Sequence, residues 1–156
     1  MNPSPDAVEL ITHFESFIPN AYRDPVGIWT LGYGTIRVEG NPVTEGMTCT
    51  KEVALQWLHE ELDTITPRIL RACVVPLQQQ QLDALASFVY NLGIGNFQSS
   101  TLLKNIKAQR PVTESNFTLW CKARVNGVLV PLPGLVRRRR AEHFLYTQGR
   151  VKVRFT

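Results

Sequence analysis

Three residues near the N-terminus carry groups suited to acid–base chemistry. Glu15, Asp24 and Thr30 lie within HFESFIPNAYRDPVGIWTLGYGT, residues 13–35, a stretch otherwise rich in Phe, Ile, Tyr and Trp. Glycoside hydrolysis uses one protonated carboxyl to give a proton to the leaving oxygen, and a second, ionised carboxylate as nucleophile or to direct a water. The proton donor belongs in a partly desolvated place, where charge is disfavoured. Glu15, flanked by Phe14, Phe17 and Ile18, suits that place, whereas Asp24 in a polar turn is suited to staying ionised. The Thr30 hydroxyl is able to hold a water beside it. Each residue also has an ordinary use: a helical Glu is usually solvated, Asp before Pro forms turns, and Thr is at home in strands. Spacing alone does not decide between the two.

The elements that must position these groups follow from periodicity. Ser4 can cap a helix whose first turn holds Pro5 and Asp6. Val8, Ile11, Phe14 and Ile18 continue at helical spacing until Pro19, which puts Glu15 near the helix end. Asp24-Pro25-Val26-Gly27 reads as a turn, and Ile28 to Gly34 as a short strand whose glycines suggest close approach of a ligand or another backbone. With the turn at Glu39 to Pro42, this region predicts a small antiparallel sheet of two or three strands. From Thr50 the chain turns helical, with an interruption expected near Pro67 and a further short segment before Pro76. Gln78 to Leu92 predicts a buried helix, followed by helices at Ser99–Ala108 and Phe117–Ala123. Asn126-Gly127 suits a turn between two short strands, and a last helix spans Val136–Gln148. The fold class is α+β, mainly helical, as one domain over 1–156 with lobes of about 1–60 and 61–156 and a cleft between them.

Composition narrows the classes. At 156 residues, 44% apolar and 19% charged, the chain is long enough to bury a proper core. No run approaches the roughly 18 apolar residues of a membrane span. The N-terminus MNPSPDAVELI has no basic start, long apolar run or small-residue cleavage site, so no secretory signal is expected. Cys49, Cys73 and Cys121 lack the pairing of a disulfide framework or zinc site and read as reduced structural thiols. A net charge of +4 favours polyanions without choosing among them.

The motifs then converge. AYRDPVGIWTLGYGT resembles the motif stretch of phage-type lysozymes, the endolysins of glycoside hydrolase family 24, in which a glutamate is followed after eight residues by aspartate or cysteine and after five more by threonine. Glu15, Asp24 and Thr30 stand at those intervals. VPLQQQQLDALASFVYNLGIGNFQSSTLL (75–103) resembles the helix that ends at the substrate cleft, and PLPGLVRRRRAEHFLY (131–146) the closing segment. The resemblance implies a lysozyme-like fold and hydrolysis of the β-1,4 bond between N-acetylmuramic acid and N-acetylglucosamine in peptidoglycan. It casts Glu15 as general acid, Asp24 as second carboxylate and Thr30 as water-positioning residue, with inversion favoured, and implies no metal or organic cofactor. It also implies a chain held in the host cytoplasm until a separate holin opens the way to the wall. Thr35 departs from the pattern, which often has histidine there.

Around this centre, Asn91 is read as a contact for an acetamido group or as a helix cap, and Tyr33 as a sugar platform or a core aromatic, with Gly32 and Gly34 in the cleft floor. Four consecutive arginines, Arg137 to Arg140, cannot all face one way on a helix. Arg138 shares a face with Ala141, Glu142 and Leu145 and is the first candidate to pair with Glu15, Arg139 the second; Arg137 and Arg140 read as solvated or wall-facing. In the tail GRVKVRFT (149–156), Arg150, Lys152 and Arg154 alternate with Val151, Val153 and Phe155. That pattern suits attachment to anionic envelope polymers, or a terminal strand docked by its apolar side. A lytic transglycosylase is a rival chemistry, but it needs neither Asp24 nor Thr30. A nucleic-acid-binding module leaves all three motif residues without a role, so no nucleic-acid partner is expected, and the chain is read as a monomer.

Overall fold

The protein is described by a computed structural model over residues 1–155. The Ser4 side chain accepts from the Asp6 amide and opens α1 (Pro5–Glu15), as its cap chemistry predicts. The helix ends earlier than Pro19: Ser16 turns to φ 56° and its N–H returns to the Thr12 carbonyl at 3.2 Å. Ile18 is extended instead of helical, the conformation that a following proline imposes. Glu15 is therefore the last helical residue, where the chain changes direction. Ala7, Leu10 and Ile11 are fully buried, and α1 packs on two later helices, α3 (Gln79–Leu92) and α7 (Pro133–Gln148). Asp83 of α3 accepts from the Ser4 amide at 2.7 Å and from its hydroxyl at 2.5 Å, which ties the start of α1 down.

Strands β1 (Ile18–Arg23) and β2 (Trp29–Gly32) form an antiparallel hairpin in which Tyr22 stands opposite Thr30. The Asp24–Gly27 turn joins them, with Gly27 at φ 89° donating to the Asp24 carbonyl. A separate short pair follows, β3 (Arg37–Val38) with β4 (Asn41–Pro42). Helix α2 (Lys51–Cys73) starts at the Thr50 cap and packs on β2, where a Cβ on Gly32 would lie 2.9 Å from that of Ala54. The helix runs unbroken through Pro67, against the expected interruption. Pro67 is exposed, so the carbonyl it leaves without a partner lies on the watery side, while Leu62, Ile65 and Ile69 pack inward.

α3 crosses the centre of the core. Phe88 meets the rings of Phe97, Phe117 and Trp120 edge-on at 5.8–6.1 Å. Short helices α4 (Ile94–Gln98), α5 (Thr101–Lys107) and α6 (Glu114–Thr118) wrap around it. The helix expected at Phe117–Ala123 is displaced to α6 by the Thr113–Asn116 capping box. Lys122–Val125 is instead strand β5, paired through the Asn126-Gly127 turn with β6 (Val128–Pro131). α7 begins at Pro133 instead of Val136, as a proline at the first helical position allows, and closes at Gly149 in the left-handed region. The tail packs Val151, Val153 and Phe155 against the core and leaves Arg150, Lys152 and Arg154 exposed, without strand pairing. The result is a mainly helical α+β fold with short antiparallel sheets. Among the described residues no helix is long and apolar enough to cross a membrane, and all three cysteines are free thiols.

Candidate active site

Glu15 leaves the end of α1 with its side chain about one-fifth exposed. A guanidinium nitrogen of Arg138 lies 3.2 Å from its Oε2. Gly34, at φ 80°, brings the backbone so close that an added Cβ would sit 3.2 Å from Glu15 Oε1. The carboxyl is thus held between a cation from α7 and the turn after β2, where Gly34 has no side chain.

Arg138 is itself fixed from behind. Its Nη2 donates to the Ser87 carbonyl at 3.2 Å, and its Nε lies 3.5 Å from Glu142 Oε2. Ser87 Oγ donates to the same carboxylate oxygen at 2.6 Å. Arg139 does not reach Glu15, which corrects its place as second candidate partner. It is fully buried and pairs with Glu142 at 2.7 Å, with its guanidinium over the Phe88 ring. Burial pulls the Arg139 pKa down to about 10, against the opposing pull of Glu142. One helical turn thus sends four arginines four ways: Arg140 meets Glu114 at 3.2 Å, and Arg137 lines a cavity.

Asp24 is locked by its own turn. Its Oδ1 accepts from the Val26 amide at 3.0 Å and the Ile28 amide at 2.8 Å, which leaves Oδ2 free of protein donors among the described residues. Thr30 is buried in β2 and its hydroxyl donates to the Ile28 carbonyl at 2.9 Å, so its lone pairs remain to accept. Tyr22 stands opposite Thr30 in the hairpin. Burial raises its phenol pKa most, and the charges of Glu15 and Asp24 raise it further.

Glu15 lines one cavity, and Gly34, whose backbone faces the Glu15 carboxyl, lines another. One, of about 480 Å³, is lined by Glu15, Phe14, Asn91, Leu135, Arg137 and Arg138 among others. The other, of about 490 Å³, is lined by Gly34, Thr35, Trp57, Glu61 and Tyr90 among others. Asn91 Oδ1 is buried without a hydrogen-bond partner among the described residues. The cap role open to Asn91 is taken elsewhere, since Gly93 N–H and Asn96 Nδ2 bond the last α3 carbonyls. Tyr33 is no sugar platform: its side chain is buried and packs on Phe17 with ring centroids 5.6 Å apart. Its carbonyl accepts from the Tyr90 hydroxyl at 2.5 Å. Tyr90, Ser87 and Tyr22 were missed in the sequence, where they read as ordinary helix and strand residues. Thr35, in the histidine's place, lies within reach of the Tyr90 hydroxyl.

A carboxyl held by a buried arginine in a cavity wall, followed by a hairpin that carries Asp24 in its turn and the buried Thr30 hydroxyl in its second strand, suits a glycosidase of the lysozyme class. Residues 12–142 match the phage lysozyme family model, and the chain belongs to that family. It is 37% identical over 147 residues to the endolysin of Acyrthosiphon pisum secondary endosymbiont phage 1, covering 94% of this chain and 98% of that one. The solved endolysin from Escherichia coli O157:H7 phage FAHEc1 superposes with a TM-score of 0.90 at 37% identity, over 97% of each chain. The muramidase domain of SpmX from Asticaccaulis excentricus does so with a TM-score of 0.81 at 35% identity, over 92% of this chain and 96% of that one.

Proposed function

We propose that Glu15, Asp24 and Thr30 carry out the reaction of this enzyme, a lysozyme that hydrolyses the β-1,4 bond between N-acetylmuramic acid and N-acetylglucosamine in peptidoglycan. The observation that carries the assignment is the setting of Glu15 in the wall of one cavity, held by Arg138 and faced by Gly34, which lines a second cavity. A glycan strand laid through both cavities brings a glycosidic oxygen to that carboxyl, which gives it a proton as the bond breaks. A water held by Asp24 Oδ2 and the Thr30 hydroxyl oxygen attacks the anomeric carbon through its free lone pair, and Asp24 takes up the proton that the water loses as the new C–O bond forms. Attack from the face opposite the leaving group inverts the configuration. Arg138 positions the acid, and Asn91, in the wall of the same cavity, contacts an acetamido group of the sugar.

Replacing Glu15 with Gln keeps the shape and removes the proton. Turnover of purified peptidoglycan should fall by about 10²–10⁴, the usual worth of general acid catalysis, with the melting temperature close to that of wild type. Activity within about tenfold of wild type would overturn the assignment. Products should carry reducing ends; 1,6-anhydro ends would show transglycosylation instead.

The enzyme acts on the cell wall. We further read it as a monomer stored in the host cytoplasm and released by a holin, with the basic tail attaching it to anionic envelope polymers. Two lobes meeting near residue 60 would frame the groove. Expression without a holin should leave cells intact until chloroform permeabilises the inner membrane.

A further inference from the structure

The β5–β6 hairpin forms a two-stranded sheet of its own, so both of its edges are unpaired among the described residues. Cross-strand partners share a face, which puts Ala123, Val125, Val128 and Val130 on one side. The other side carries Lys122, Arg124, Leu129 and Pro131. Ala123 and Val130 are half-buried, whereas toward the turn Val125 is 41%, Val128 61% and Leu129 54% exposed. Single apolar side chains in water are ordinary, but three gathered at one tip mark an interaction surface.

The charge of the hairpin is of one sign. Lys122 and Arg124 are exposed and have no acidic partner among the described residues. Arg124 Nη1 instead donates to the Gly127 carbonyl at 3.2 Å, which ties its cation to the turn. Between Glu114 and Glu142 the sequence has no Asp or Glu, and both of those carboxylates are engaged by arginines of α7. A partner that complements this surface is anionic as well as apolar.

The placement of the apolar groups selects among such partners. Leu129 lies on the face opposite Val125 and Val128, so a protein groove or a second copy pressed to one face leaves the other in water. A lipid interface surrounds the tip and covers both. The free backbone groups along the two edges limit the depth, because they are costly in hydrocarbon but find partners among headgroups and their water. Cations set just behind the tip then lie at the level of the phosphates.

We propose that the β5–β6 hairpin docks the enzyme on an anionic phospholipid bilayer. Val125, Val128 and Leu129 enter the headgroup region, and Lys122 and Arg124 meet its phosphates. The contact is separate from the cleavage reaction and from the basic tail.

The test uses vesicles of phosphatidylglycerol mixed with phosphatidylcholine, and vesicles of phosphatidylcholine alone, at low and high salt. Wild type should bind the anionic vesicles at least about tenfold more tightly at low salt, since each cation near a charged surface adds about fivefold. The triple variant Val125→Thr, Val128→Thr, Leu129→Thr keeps residues that favour strands and removes apolar area. It should weaken binding to anionic vesicles at least about fivefold at both salt levels. The double variant Lys122→Gln, Arg124→Gln should weaken it about tenfold or more at low salt and much less at high salt. Both variants should turn over short soluble glycan strands within about twofold of wild type, as surface changes away from the site allow. In a chain lacking residues 150–156, the threonine substitutions should cause the same loss, which separates the hairpin from the tail. Vesicle binding unchanged by the threonine variant would overturn the proposal. So would a loss confined to wall binding or turnover, which would make the hairpin a lip of the glycan groove, or a wild-type dimer dissolved by the same substitutions.

Discussion

The position of one carboxyl group depends on residues that do no chemistry. Gly34 is the clearest case, because two separate demands fall on it: a left-handed φ of 80° and the space occupied by Glu15. Gly46 has a similar φ of 87° with nothing within 4 Å of an added Cβ. Alanine at either site pays the same kind of backbone strain, about 1 kcal/mol or somewhat more. Only Gly34→Ala also pushes on the acid. The pair should therefore lose similar melting temperature, while kcat on peptidoglycan falls at least about tenfold for Gly34→Ala and stays near wild type for Gly46→Ala, because small displacements of a reacting group cost that much or more. Parallel losses of kcat would mean the glycine serves the fold alone. Glu15, Asp24 and Thr30 could be singled out in the sequence because a motif names types at fixed intervals. Ser87 and Tyr90 could not, because their partners, Glu142 and the Tyr33 carbonyl, lie 55 and 57 residues away in the chain.

Element positions were legible where local chemistry acts alone, and displaced where two local rules compete. The Ser4 and Thr50 caps, the Asp24 turn and the Asn126-Gly127 hairpin all stand where the residue types predict them. The end of α1 does not, since the demand of Pro19 for an extended Ile18 overrides helical periodicity. Pro67 fails in the opposite sense, because packing of its inward neighbours outweighs one lost hydrogen bond on the solvent side. The contact between α6 and α7 carries a pH dependence of its own. His143 packs against Phe117 with ring centroids 5.8 Å apart, and burial lowers its pKa from the ordinary 6.5, against the opposing effects of Glu114 and the Val112 backbone. The native state therefore stays neutral at His143 while the unfolded chain takes up a proton. Stability should fall as pH drops below about 6.5 and level off once the folded histidine titrates. Melting curves between pH 7 and pH 5 should be flatter for His143→Gln than for wild type. Identical slopes would show that acid acts through other groups.

At the scale of the whole molecule, the tail joins the stability of the fold to its attachment to the wall. Its alternation was legible, but the choice between a free basic strip and a docked segment was not, because docking depends on Phe144, which the last helix offers on its outer side. The structure shows both features at once. Phe155 packs on Phe144 at 6.0 Å between ring centroids, and the cations of Arg140 and Lys152 lie about its face at 4.9 and 5.0 Å. Arg150, Lys152 and Arg154 are exposed and have no acidic partner among the described residues, with Arg150 and Lys152 lying over the Phe144 ring at 5.3 Å. Deleting residues 150–156 should then have two effects that separate by salt. Loss of three half-buried apolar side chains, worth about 1–3 kcal/mol after the entropy of ordering a terminus, should lower the melting temperature by roughly 3–9 °C at any ionic strength. Loss of three cations takes the net charge from +4 to +1, so binding to isolated walls should weaken at low salt and converge with wild type at high salt. Cleavage of short soluble strands, which do not need the tail, should persist below the new melting temperature. Unchanged stability would mean the apolar contacts add nothing to the fold. Unchanged wall binding at low salt would mean that the exposed cations do not attach the enzyme, and the tail would then be a structural strap.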